Sequence, residues 1–167
     1  SVITEDPHSF PLVAVVDHVE DPFNFGAILR TCELLGFKAV VFPKDRNSQL
    51  NAGAIKASSG AVYHLHLIRV ANVAQAVISM KRAGYWMYGS AVENGVSLDE
   101  VEPLFPLGLI IGNEGKGMSQ RLLSLADFNL TIPTVGQVSS FNVSVATGIL
   151  AHTLAHSFRK ASQVHDN

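Results

Sequence analysis

The sequence predicts an α/β fold, a mostly parallel sheet with helices on both faces, from three observations. Short continuous apolar runs at Leu12–Val16, 39–42 and Leu107–Ile111 read as strands buried on both sides, the pattern of a parallel sheet. Segments with helical spacing of apolar residues separate these runs, as in successive βαβ units. The 167 residues are 47% hydrophobic and 16% charged, which suits one domain burying about 70% of its unfolded surface.

Residues 1–10 read as a linker, polar and broken by Pro7, with Pro11 next. After strand 12–16 and a polar turn, Phe25, Ile28, Leu29, Cys32 and Leu35 form the apolar arc of a helix. Asn24 stands where an N-cap would, and Gly36 where a C′ residue would. Gly26, Arg30 and Glu33 lie outside the arc, which leaves Arg30 free to meet a partner with room beside it at Gly26. Cys32 is the single cysteine, so no internal disulfide forms, and its place in the arc marks a structural thiol in a reducing compartment.

Strand 39–42 is closed by Pro43, a polar loop covers 44–48, and a helix carrying Leu50, Ala54, Ile55 and Ala57 ends near Gly60. Residues 64–70 alternate as a third strand, with His64 and His66 on one face but no third ligand for zinc. Asn72 caps a helix over 73–83, a strand follows at 85–91 and a helical turn at 98–101. From 107 the order is strand, glycine loop, helix, strand 130–132 and a last helix over 142–160, with 162–167 as a tail. His152 and His156 are spaced i, i+4 on that helix without a third ligand, which points to packing or a subunit contact, and no metal is expected.

The formal charge is −2, so no global basic field announces nucleic acid, and an RNA partner needs a local patch. Apolar runs fall short of the ~18 residues of a spanning helix, and the acidic start Thr4-Glu5-Asp6 is unlike a signal peptide. A soluble cytoplasmic protein is expected.

Gly112-Asn113-Glu114-Gly115-Lys116-Gly117 spells G-x-x-G-x-G, neither the dinucleotide fingerprint G-x-G-x-x-G nor a Walker A loop, since Lys116 is not followed by Ser or Thr. Such a loop is either a tight turn or a backbone-walled ligand site. Glu114 within it offers a carboxylate to a ligand or a basic neighbour. The second loop, Ile132-Pro133 to Ser139-Ser140-Phe141-Asn142, has the same strand-loop-helix form. Ser140 and Asn142 are both placed to cap the helix, which needs only one of them. Ser140 is in no G-x-S-x-G elbow. Two such loops facing each other would wall a pocket with backbone groups, better suited to a neutral or cationic nucleoside than to a triphosphate.

Three segments in order, 24–31, 112–117 and 132–146, resemble the motifs of the SpoU (TrmH-like) family of RNA ribose 2′-O-methyltransferases, over nearly all of 12–158. The stretch 42–61 is most similar to the bacterial branch that methylates a guanosine of 23S ribosomal RNA. The resemblance implies a SPOUT fold with a C-terminal trefoil knot, a catalytic domain over 11–161, S-adenosylmethionine as cofactor, and a homodimer in which both subunits contribute to each active site. It implies cofactor contacts from Gly112, Asn113, Gly115, Gly117, Ile132, Pro133, Ser140, Phe141 and Asn142. It assigns catalysis to Arg30, with Asn24, Glu114, Ser140 and Asn142 orienting arginine, cofactor and nucleotide. A guanidinium is very hard to deprotonate, so holding a phosphate and steadying a developing alkoxide suits Arg30 better than acting as a base. Lys44, Arg46 and Lys56 are expected RNA contacts. The family has Leu where Phe141 stands, and the N-terminal RNA-binding domain of the similar branch is expected to be absent. Within the family a tRNA-directed enzyme and a non-catalytic RNA-binding paralogue are the alternatives. A dinucleotide-dependent oxidoreductase would need G-x-G-x-x-G after the first strand, where Asp17-His18-Val19-Glu20-Asp21 stands.

Overall fold

The computed structural model describes residues 1–45, 47 and 50–166. Among these residues seven parallel strands form one sheet: β1 (Leu12–Val16), β2 (Ala39–Pro43), β3 (His66–Val70), β4 (Trp86–Ser90), β5 (Val96–Ser97), β6 (Leu107–Ile111) and β7 (Phe128–Thr131). Their order across the sheet is β3-β2-β1-β6-β4-β7-β5. Every residue of β1, β2 and β6 is buried, as expected of central parallel strands.

Successive residues of β1 feed opposite cores. Leu12, Ala14 and Val16 pack with Phe25, Ile28 and Leu29 of α2 (Pro22–Leu34) and with Leu150 and Leu154 of α6 (Val143–His165). Val13 and Val15 pack with Val77 and Met80 of α4 (Val73–Arg82) and Leu122 of α5 (Gln120–Leu125). The expected two-sided α/β architecture is thus present. No helix among the described residues is long and apolar enough to cross a membrane.

Several local expectations are corrected. Residues 1–10 are not a bare linker: α1 (Val2–Glu5) and a 3-10 turn at Pro7–Ser9 fold against the sheet. Ile3 and Phe10 are buried there, and the Tyr85 hydroxyl donates to the Phe10 carbonyl at 2.9 Å and to that of Ile3 at 3.2 Å. The helix cap is Asp21, not Asn24. Pro22 occupies the first helical position, where its missing N–H costs nothing, and the Asp21 carboxylate accepts from the amides of Phe23 and Asn24. Gly26 is buried rather than outward: a Cβ there would stand 2.4 Å from the Ala54 carbonyl oxygen of α3 (Ala52–Ala57), so its hydrogen lets the two helices touch. His64 lies in the turn after Ala61–Tyr63, one element before β3, and does not share a strand face with His66. The last helix runs on to His165, through most of the expected tail.

The C-terminus of α2 matches its expected glycine. Gly36 has φ +87° and donates to the Glu33 carbonyl, while Phe37 donates to Cys32 at 2.9 Å, closing a Schellman motif. Cys32 is fully buried, and desolvation pushes its thiol up to about 12. A thiol reagent should therefore leave the folded protein untouched and titrate one thiol per chain in denaturant. Stoichiometric labelling of the native protein would contradict this burial.

Candidate methyl-donor site

The carboxyl ends of β6, β4 and β7 meet the start of α6 around a cavity of about 230 Å³. Its floor is apolar, from Ile111, Leu130, Val143 and Leu150. One rim is the glycine loop, with Gly112, Asn113, Glu114, Gly115, Lys116 and Gly117 all lining it. The opposite rim is Ile132, Thr134, Ser139, Ser140 and Phe141. The two loops singled out in the sequence therefore face one another across a hollow, which chain spacing alone does not show.

The glycine loop is built from its own backbone. Asn113 and Gly117 exchange backbone hydrogen bonds of 3.0 and 2.9 Å, and the Asn113 side chain accepts from the amides of Gly115 and Lys116. Gly112 is required by space: an added Cβ would lie 2.4 Å from the carbonyl carbon of Gly117 and the amide of Met118. The Glu114 carboxylate accepts from the Asp21 amide at 3.0 Å and the Glu20 amide at 3.4 Å. Glu114 thus ties the glycine loop to the turn that starts α2.

A second tie joins α2 to α6. Asn142 Oδ1 accepts from Ser144 N at 2.9 Å, the Ser144 hydroxyl at 2.6 Å and Val145 N at 3.4 Å, so Asn142 is the cap of α6. Its Nδ2 donates to Asn24 Oδ1 at 3.2 Å, across 118 residues of sequence. Ser140 makes no cap bond and is left on the cavity wall. Asn142→Ala removes both functions. Unfolding should show a loss of about 1 kcal/mol, the usual worth of such a cap, with several-fold weaker cofactor binding by calorimetry as the Ser140–Phe141 wall loosens. An unchanged midpoint and affinity would show that the cap is idle.

Of the expected residues, Gly112, Asn113, Glu114, Gly115, Gly117, Ile132, Ser140 and Phe141 line the cavity. Asn142 and Pro133 border it through their chain neighbours without lining it, and Asn24 is joined to it only through its hydrogen bond with Asn142. Arg30 does not line it either. It is exposed on α2, about 9 Å along the axis beyond Asn24, and makes no hydrogen bond or ion pair among the described residues. Lys44 and Lys56 are exposed and do not line the cavity, and Arg46 lies outside the described residues. The sequence reading missed Ser90 at the end of β4 and Ala91 and Val92 after it, which close the cavity's third side. The rule that ligands sit at the carboxyl ends of parallel strands could have found them.

The model of the SpoU rRNA Methylase family matches residues 11–152. The chain belongs to this family. A Staphylococcus saprophyticus protein assigned to the TrmH family of tRNA/rRNA methyltransferases is 40% identical over 154 residues, covering 92% of this chain and 61% of the relative. A Porphyromonas gingivalis structure of the TrmH family is 32% identical with a TM-score of 0.78, covering 86% of this chain and 58% of that one. The A. aeolicus TrmH/SpoU tRNA modifying enzyme is 27% identical with a TM-score of 0.82, covering 90% and 77%. The SpoU methyltransferase AviRb of Streptomyces viridochromogenes, solved in complex with AdoMet, shares the fold at 24% identity and a TM-score of 0.79, covering 89% and 60%. This chain therefore spans about three fifths of the length of the curated relatives it matches.

Proposed function

We propose that this SpoU-family domain methylates a ribose 2′-hydroxyl in RNA with S-adenosylmethionine as donor, the target being a guanosine of 23S ribosomal RNA. The observation that carries this reading is a cavity walled by two distant loops and tied through Asn142 and Asn24 to the helix that bears Arg30. The donor fits the residues present. An apolar floor suits an adenine ring, and rims of backbone and hydroxyl groups, carrying one anion (Glu114) and one cation (Lys116), suit the polar remainder better than they suit a polyphosphate. When bound, the donor supplies an electrophilic methyl group on a sulfonium.

Methylation forms a bond from the ribose oxygen to the methyl carbon, breaks the carbon–sulfur bond, leaves the electron pair on sulfur and releases the hydroxyl proton. The chain's share of the work is positioning and electrostatics. Gly112–Gly117 and Ser139–Phe141 would hold the donor, and a pocket that keeps water out would favour the loss of charge at sulfur. The Arg30 guanidinium holds the phosphate beside the ribose and steadies the alkoxide as the proton leaves. The AviRb complex with AdoMet and the A. aeolicus tRNA modifying enzyme support the donor and the RNA substrate class.

Arg30 stands outside its own chain's cavity, which supports the homodimer. Phe23 and Leu34, 67% and 70% exposed, flank Arg30 on one helix face, an apolar stripe suited to a second copy. In that dimer the arginine of one copy serves the cavity of the other. His152 and His156 are exposed on α6, as a subunit contact there requires. The strand order supports the trefoil knot, because the chain leaving β6 steps across β4 to form β7 and then returns to pack α6 beside α2.

Incubation with radiolabelled S-adenosylmethionine and unmodified ribosomal or transfer RNA tests the assignment. Label should appear in ribosomal RNA, in alkali-resistant dinucleotides that yield 2′-O-methylguanosine. Label confined to base-methylated nucleosides, or none, would overturn the assignment, and label confined to tRNA would move the target.

A further inference from the structure

The positive charge that the whole chain lacks is concentrated in one part of it. Residues 46–92 hold Arg46, Lys56, Arg69, Lys81 and Arg82 and no Asp or Glu, a formal charge of +5 against −7 for the rest of a chain totalling −2. Lys81 is engaged in the fold, donating to the Leu125 carbonyl at 2.8 Å and pairing with Asp127 at 3.4 Å. It and Arg82 lie on α4, across the sheet from α2. Lys56 and Arg69 belong to the α2 side, where α3, the 3-10 turn Ala61–Tyr63 and the edge strand β3 form one flank. α3, that turn and β3 carry no carboxylate, and α2 carries only Glu33.

The flank also carries an aromatic ring that the fold does not use. Tyr63 is 79% exposed, although Ala61 before it and Leu65 after it are buried in the core beneath α2. The turn that precedes it is firmly built: Ser59 and Gly60 both take left-handed backbone, φ +51° and +87°, and Tyr63 donates to the Gly60 carbonyl at 3.1 Å. A serine keeps that conformation only where its surroundings impose it. On β3 the Arg69 guanidinium stands 5.8 Å from the Phe42 ring centre, and Phe42 meets Phe25 of α2 at 5.2 Å. Lys56 is exposed near the end of α3, the helix that Gly26 lets close to α2. Neither the Tyr63 hydroxyl nor the cationic ends of Lys56 and Arg69 have a hydrogen-bond or ion-pair partner among the described residues.

We propose that this flank is a track for single-stranded RNA, with one base stacked on Tyr63 and phosphates of the same strand held by Lys56 and Arg69. The inference rests on the RNA methyltransferase reading and adds a binding surface outside the donor cavity. A cationic strip bearing an exposed ring suits a single strand, because phosphates meet the charges and every base has a π-face to stack. The track lies beside α2, the helix that bears Arg30, and so takes nucleotides next to the one being methylated.

The test measures retention of an unmodified 23S ribosomal RNA transcript on filters, without donor, over a series of KCl concentrations. Tyr63→Ala should weaken binding by about tenfold, as for loss of one base–aromatic stack, and Tyr63→Phe should keep parental affinity where Tyr63→Leu does not. Lys56→Gln and Arg69→Gln should each flatten the plot of log affinity against log salt by about 0.7, the share of one single-strand phosphate contact. S-adenosylhomocysteine affinity should stay within twofold in every variant, since none of the three residues lines the donor cavity. Parental affinity and salt slope in Tyr63→Ala, Lys56→Gln and Arg69→Gln would overturn the proposal. So would a change of sedimentation in Tyr63→Ala at unchanged RNA affinity, which would make the flank a subunit contact. A parent that methylates RNA while its variants bind as it does fails this proposal alone, whereas a parent that labels no RNA fails the methyltransferase reading.

Discussion

Arg30→Ala should abolish methyl transfer, by about a thousandfold or more, while S-adenosylhomocysteine affinity stays within twofold and the melting temperature does not move. Three observations set this pattern. The side chain is exposed and unpaired among the described residues, so truncation breaks no contact in the fold. It does not line the donor cavity of its own chain, and its expected work in the partner's cavity falls on the RNA, so donor affinity should hold. Its expected work falls on the RNA and the developing alkoxide, where loss of one electrostatic group commonly costs about 10²- to 10³-fold, before lost phosphate binding is added. Arg30→Lys keeps the charge but loses the planar fork and should recover only part of the rate. Single-turnover methyl transfer with calorimetry alongside separates the two quantities. An active Arg30→Ala protein would remove Arg30 from the mechanism.

The second large effect belongs to Gly112→Ala. An added Cβ meets backbone on two sides, 2.4 Å from the Gly117 carbonyl carbon and the Met118 amide, and backbone cannot rotate away. Relief requires breaking the Asn113–Gly117 pairing, which moves the rim that carries Gly115 and Lys116. Stability should fall by about 1–3 kcal/mol, as for other overpacked sites, and donor affinity by a hundredfold or more. Gly115→Ala is the control in the same loop. Its nearest obstacle is Asn113 Oδ1 at 3.6 Å, an ordinary contact, so binding should survive within a few-fold. Equal losses in the two variants would mean that loop flexibility, not the close approach at Gly112, matters.

The parts legible from sequence were those set by local chemistry. β1, β2 and β6 are uninterrupted apolar runs because they are buried on both faces. The Asn72 cap and the Gly36 terminus follow from backbone groups that any helix must satisfy. Where two local signals competed, the reading slipped. Asp21-Pro22 outranks Asn24 as a helix start because proline fixes the first turn. Gly26 looks outward by helical periodicity, and only its partner α3 shows why a side chain is excluded. Residues 1–10 lack periodicity because their burial rests on isolated anchors, Ile3 and Phe10, held by Tyr85 from far along the chain.

The candidate site divides along the same line. The glycines and the Ser140–Asn142 turn were visible as motifs, but their meeting depends on β6 and β7 lying on either side of β4, an order that no spacing encodes. Glu114 was visible as a carboxylate in a loop, whereas its partners, the amides of Glu20 and Asp21, lie 94 and 93 residues away. Arg30 was rightly placed outside the core, yet its separation from the cavity emerges only in three dimensions.

Titration of S-adenosylhomocysteine into the protein, with NAD as the comparison ligand, measures the central claim directly. One saturable site per chain for the homocysteine compound, none for NAD, and loss of that site in Gly112→Ala is the predicted result. No binding at high micromolar ligand, or binding indifferent to Gly112→Ala, would show that the hollow between the two loops does not hold the methyl donor.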